Sequence, residues 1–186
     1  MPLTATGFPG LFVFEPVVHH DDRGYFFESY NANTLHKEGI DVAFVQDNQA
    51  RSTYGVLRGL HFQHAPYAQT KLIRVLEGSI MDVVVDIRKG SPTYGQVYCL
   101  EMSAENRLQL LVPQGFAHGY SVLSPIAEVL YKCDNFYHKA SEGGIRYNDP
   151  ALNIDWGIPL ADAVISPKDA ELPFLADCPH HFTFQP

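Results

Sequence analysis

The sequence has 186 residues, 46% hydrophobic and 18% charged, as expected of a folded globular chain with a sizeable core. A formal net charge of −8 sets the surface as a whole against nucleic acid and anionic membranes. Three scattered cysteines (Cys99, Cys133, Cys178) without a CxxC pair argue against a disulfide framework or a zinc knuckle.

Met1 to Gly10 has neither a basic nor an apolar signal region, and no apolar run approaches the roughly 18 residues of a membrane span, so a cytoplasmic location is expected. Leu11 to Glu15 alternates as a short strand, His19 to Gly24 reads as a polar turn, and Tyr25 to Glu28 as a second strand. Asn31 to Gly39 has the signals of a short helix, with Asn31 or Asn33 as cap, Leu35 as packing residue and Gly39 as stop. Val42 to Gln46 is expected as a strand leading into a polar loop over residues 47–52.

The stretch Gly55 to Gln63 is apolar enough for a strand, yet carries Arg58, His61 and Gln63. Simple alternation puts Leu57, Gly59, His61 and Gln63 on one face and Val56, Arg58, Leu60 and Phe62 on the other, unless Gly59 marks a bulge. Further strands are expected at Thr70–Leu76, Ile80–Ile87, Gln96–Ser103, Leu108–Val112, Tyr120–Leu123 and Ala127–Cys133. In the strongest of these, Met81, Val83, Val85 and Ile87 share one face and Ile80, Asp82, Val84 and Asp86 the other. Many short strands without interleaved helices give an all-β sandwich, jelly roll or barrel, with Asn135 to Pro186 wrapped around it as loops and short helices. One domain spanning 1–186 is expected.

His61, Lys71, His118 and Tyr131 all fall on or beside these strands. A base, a cation and a phenol in one cavity suit carbon-acid chemistry: the base takes a proton beside a ketone, the cation holds the enolate oxygen, and the phenol returns a proton. Each also has a structural reading, as surface lysine, core tyrosine or backbone-bonded histidine. A metal site of His61, His118 and Asp82 is disfavoured, because His61 and His64 do not form an H-x-H pair and the next acid is Glu77. Asp169 sits in Ser166-Pro167-Lys168-Asp169, where a capping role at a helix start accounts for it.

The blocks Arg58-Gly59-Leu60-His61-Phe62-Gln63, Asp82 to Arg88, Gly90-Ser91-Pro92-Thr93-Tyr94-Gly95, Val112 to Tyr120, Leu130-Tyr131-Lys132, Ile154-Asp155-Trp156 and Ser166 to Asp169 resemble the dTDP-4-dehydrorhamnose 3,5-epimerases, in order and over nearly the whole chain. The resemblance implies a cupin-type β jelly roll with a few short helices in its terminal segments. It also implies a homodimer, a dTDP-linked 4-keto-6-deoxy-hexose as substrate, and neither metal nor organic cofactor. It makes His61 the base, Asp169 the carboxylate that orients it, Lys71 the cation at the enolate oxygen and Tyr131 the acid on the other face. His118 becomes a second pocket histidine with Asp82 as partner, and Arg58 a diphosphate ligand. Gln46, Asn48 and Tyr137 become further nucleotide-diphosphate contacts. Arg23, Phe26 and Glu28 are implied to reach the nucleotide from the neighbouring subunit, with Phe26 stacked on thymine. The rivals are an epimerase or ketoisomerase acting at one position of a related dTDP-sugar, and a non-catalytic cupin that binds a sugar nucleotide.

Overall fold

The structure is a computed structural model and describes residues 3–185. Four three-residue strands come first, β1 (Leu3–Ala5), β2 (Phe12–Phe14), β3 (His19–Asp21) and β4 (Gly24–Phe26), followed by helix α1 (Ala32–Lys37). The body of the fold is β5 (Gln46–Thr53), β6 (Val56–Gln63), β7 (Lys71–Glu77), β8 (Ser79–Asp86), β9 (Val97–Ser103), β10 (Gln109–Val112), β11 (Phe116–Val122) and β12 (Ile126–Cys133). After it come β13 (Glu142–Gly144), β14 (Val164–Ile165), helix α2 (Pro167–Ala170) and three single-turn 3-10 helices. No described helix is long and apolar enough to cross a membrane.

The strands form two facing sheets in a jelly-roll arrangement. One has the order β1-β2-β10-β7-β12-β5, the other β13-β6-β11-β8-β9, with β14 added parallel to β6. Every other pairing between these described strands is antiparallel. Because side chains alternate across a strand, each sheet offers one face to the other sheet and one outward. Ile73, Val75, Leu110, Val112 and Val129 of the first sheet meet Ile80, Val84, Phe116 and Val122 of the second in the central core. The opposite parity of β8, Val83 and Val85, packs outward under the C-terminal segment against Trp156, Ile145 and Leu152. A third cluster seats Leu35 of α1 on Phe14, Leu72 and Leu111 outside the first sheet.

Helix α1 begins where the sequence places it: the Asn31 side chain accepts from the Asn33 N–H, and Gly39 follows the cap residue Glu38 with φ +78°. Three expectations need correction. His19 to Asp21 is a strand, paired with β4 in an exposed hairpin whose turn holds Arg23. The polar stretch from Asp47 is a strand, whereas residues 41–45 form none. β5 lies at the edge of its sheet, where polar side chains stay hydrated or pair with β12, as Asp47 does with Lys132 at 3.0 Å. Polarity alone therefore mimicked a loop. Lastly, β11 starts at Phe116, so His118 lies within a strand and not in the turn before it.

Candidate active site

The site is set up by an irregularity in β6. His61 pairs with His118 of β11, yet Arg58 pairs with Tyr120, so three steps along β6 match two along β11. The extra residue is a β-bulge centred on Gly59, which has φ +117°. A side chain there has no room, since a Cβ on Gly59 would sit 2.6 Å from the Gly119 Cα. The bulge switches the parity of the strand. Leu57, Leu60 and Phe62 pack in the outer core, while Val56, Arg58 and His61 line one cavity. Simple alternation, which separates Arg58 from His61, is thus overturned, and the glycine-bulge alternative is the one the structure adopts.

That cavity has a volume of about 470 Å³. His61 and His118 reach it from the second sheet, Lys71 and Tyr131 from the first, and Lys168 and Asp169 from the segment after β14. His61 Nε2 lies 2.7 Å from Asp169 Oδ1, and Asp169 Oδ2 accepts the Gly59 N–H at 3.3 Å. Asp169 also belongs to a helix cap, but through its backbone: its N–H donates to Ser166 Oγ at 3.1 Å. Burial alone would raise the Asp169 carboxyl. The hydrogen bond and charge of His61, with the Gly59 and Ser166 contacts, outweigh burial and hold it below the ordinary aspartate value.

The neighbouring strand repeats the pattern. His118 Nε2 lies 2.9 Å from Asp82 Oδ2, with both residues buried. Lys71 heads β7, with Nζ 5.8 Å from the centroid of the Tyr131 ring. Burial lowers the Lys71 pKa from the ordinary lysine value, against the opposing pull of Cys133 and Asp82. Burial pushes the Tyr131 phenol up to about 12, so it keeps its proton throughout the neutral range. Among the described residues no three His, Cys, Asp or Glu side chains are grouped to hold a metal ion. His61 and His118 turn instead to separate carboxylates.

A second hollow shares His61, Lys71 and Tyr131 with the first and adds Gln46, Asn48 and Tyr137. Gln46 Nε2 donates to Asn48 Oδ1 at 3.0 Å, and the Tyr137 N–H donates to Gln46 Oε1 at 3.0 Å. Nine of the twelve residues singled out from the sequence therefore border one continuous space. The other three do not. Arg23 bonds to Asp21 on the exposed hairpin, Phe26 is 71% exposed, and Glu28 accepts from Asn31 at 2.9 Å.

The sequence profile of the family described as dTDP-4-dehydrorhamnose 3,5-epimerase matches residues 5–177. The chain belongs to this family. The dTDP-4-dehydrorhamnose 3,5-epimerase of Pseudomonas aeruginosa is 50% identical over 179 residues, covering 95% of this chain and 97% of that one. The crystal structure of the dTDP-4-dehydrorhamnose 3,5-epimerase of Elizabethkingia anophelis superposes with a TM-score of 0.92 at 50% identity, covering 95% of this chain and 97% of that one. That of the dTDP-6-deoxy-D-glucose-3,5-epimerase of Legionella pneumophila, in complex with dTDP-4-keto-L-rhamnose, gives 0.91 at 44% identity, with 97% and 98% covered.

Sequence reasoning passed over several residues that border the epimerase-family cavity. Lys168 lines it, and its Nζ bonds at 2.6 Å to Oε2 of Glu142, which lines the second hollow. Lys168 stands inside the block that flagged Asp169, so its neighbour was the available signal. Tyr120 is nearly fully buried on the inward face of β11, where a tyrosine in an apolar strand reads as core.

Proposed function

We propose that this chain inverts C3 and C5 of dTDP-4-dehydro-6-deoxy-D-glucose, giving dTDP-4-dehydro-L-rhamnose. Both carbons flank the C4 ketone, so their protons are acidic enough to leave through an enolate. The observation that carries the reading is the 2.7 Å His61–Asp169 pair in the same cavity as Lys71 and Tyr131. Donation of the Nε2–H to Asp169 leaves Nδ1 as the basic nitrogen of His61, and the carboxylate stabilises the imidazolium that forms. Lys71 faces the growing charge on the C4 oxygen. Tyr131 returns a proton from the other wall, since β6 and β12 belong to opposite sheets. Inversion needs those two walls, because a single side chain returns a proton only to the face it took it from.

Arg58 holds the diphosphate with its planar fork. Gln46, Asn48 and Tyr137 position the nucleotide, and His118, held by Asp82, bounds the sugar. Arg23, Phe26 and Glu28 complete the site of a second subunit in a homodimer, Phe26 by stacking on thymine. Proton removal beside a ketone needs no electron acceptor, so the scheme uses no cofactor. The whole chain acts as one domain, and its three free thiols fit the cytoplasm. NMR of the sugar nucleotide in D₂O tests the reading: deuterium should enter at C3 and C5 with inversion at both. Inversion at one carbon would assign a mono-epimerase, keto migration a ketoisomerase. Absence of any exchange would leave only a binding protein.

A further inference from the structure

Tyr120 is 4% exposed, and its hydroxyl has no hydrogen-bond partner among the described residues. An unpaired buried hydroxyl is costly, and Phe would fill the same space without that cost. The polar groups around it are already engaged. Ser52 and Arg58 both act on the Tyr120 phenol, Ser52 through a contact that falls outside full hydrogen-bond geometry and Arg58 through its charge. Ser52 Oγ accepts from Arg58 twice, from Nε and from Nη2, each at 3.2 Å. A hydroxyl oxygen has two lone pairs, so Ser52 has none left for Tyr120. Arg58 in turn lines the cavity, and Ser52 sits behind it on the adjoining edge strand.

We propose that Tyr120 is a positioning residue for anion binding: its hydroxyl is the reserve donor that takes Ser52 Oγ when Arg58 turns its guanidinium onto a diphosphate. The proposal rests on the reading of Arg58 as the diphosphate ligand. In the structure Arg58 sits on Ser52 and Tyr120 is unpaired among the described residues. On binding, Arg58 exchanges a neutral hydroxyl for charged oxygens, and the oxygen it leaves is taken by the waiting phenol. No buried acceptor is abandoned and one buried donor gains a partner, so the exchange favours the bound arrangement.

The test measures binding of dTDP and of inorganic pyrophosphate by calorimetry, and unliganded stability by urea unfolding. Both are applied to the native chain, Tyr120→Phe, Ser52→Ala and the double variant. Tyr120→Phe should be at least as stable as the native chain without ligand, yet bind dTDP about three- to tenfold more weakly. In the Ser52→Ala background the same change should be silent in affinity, since the acceptor is gone. Tyr120→Phe that binds both probes as tightly as the native chain would overturn the proposal while leaving Arg58 as the diphosphate ligand. Loss of unliganded stability would overturn it too, by showing that the hydroxyl already has a partner. A native chain that binds neither probe would remove the Arg58 reading itself, and this proposal with it.

Discussion

Asp169 divides two tasks between separate atoms. Its backbone N–H satisfies the Ser166 cap, while its carboxylate oxygens go to His61 and to the Gly59 N–H. Asp169→Asn keeps the first and disturbs the second, so it should fold normally and lose about 10²–10⁴ in kcat. Turnover at the native rate in this variant would leave Asp169 with its capping role alone. The same carboxylate has a depressed pKa in the folded chain. Its contribution to stability is therefore present above the ordinary aspartate value and is lost as pH falls through the depressed one. Urea unfolding from pH 5 downward should show that acid limb in the native chain and a smaller one in the Asn variant. Tyr131→Phe leaves His61 and Lys71 in place. It should still wash deuterium into the substrate, while inversion falls steeply; inversion at the native rate would make Tyr131 a core residue only. Lys71, with its pKa lowered by burial, sets a different limit. The alkaline limb of kcat/KM should fall below the ordinary lysine value, and Lys71→Met should remove it along with most of the rate.

Among the elements, β6 carries the most information, because its bulge decides which side chains share a wall. Gly59 and Gly119 let the two backbones approach: a Cβ on Gly119 would meet the Arg58 carbonyl oxygen at 2.6 Å. Gly59→Ala combines a positive φ with a Cβ 2.6 Å from the Gly119 Cα, and should destabilise by about 1–3 kcal/mol or more in urea unfolding. It should also cost turnover beyond what unfolding explains, since Arg58 and His61 would no longer face together. This element marks how far the sequence could be read. Three polar groups within one apolar strand marked it as unusual, and a glycine between them left a bulge open as the exception to simple alternation. Only the pairing partner settles the parity, because the two-for-three register with β11 is a property of a strand much later in the chain, where Tyr120 meets Arg58. The two faces of β8 were legible outright, since each meets its own apolar layer. β5 was not, because an edge strand with a wet face has the composition of a loop. Tyr120 was illegible for a related reason: nothing in an apolar strand says whether a phenol has found a partner.

At the scale of the whole molecule, the two sheets bring together residues far apart in sequence, and His61 and Asp169 are 108 positions apart. The β3–β4 hairpin does the opposite, holding Tyr25 and Phe26 out at 57% and 71% exposure. If it completes a neighbour's site, Arg23→Ala and His61→Asn should each be inactive alone and regain activity when mixed. Each hybrid dimer then carries one site with a sound His61 and a sound Arg23 from the other subunit. Hybrids that form and stay inactive would show that the site is not shared. The C-terminal segment adds an asymmetry in time. It crosses the outer face of the second sheet through Trp156, lays Val164 and Ile165 alongside Val56 and Leu57, and only then delivers Asp169. A chain synthesised from its N-terminus has all eight strands of the body, β5 to β12, by Cys133, with His61 in place but Asp169 still unmade. If His61 is the base and Asp169 its partner, proton abstraction is withheld from any nascent or truncated chain that stops short of residue 169, however well its sheets have closed.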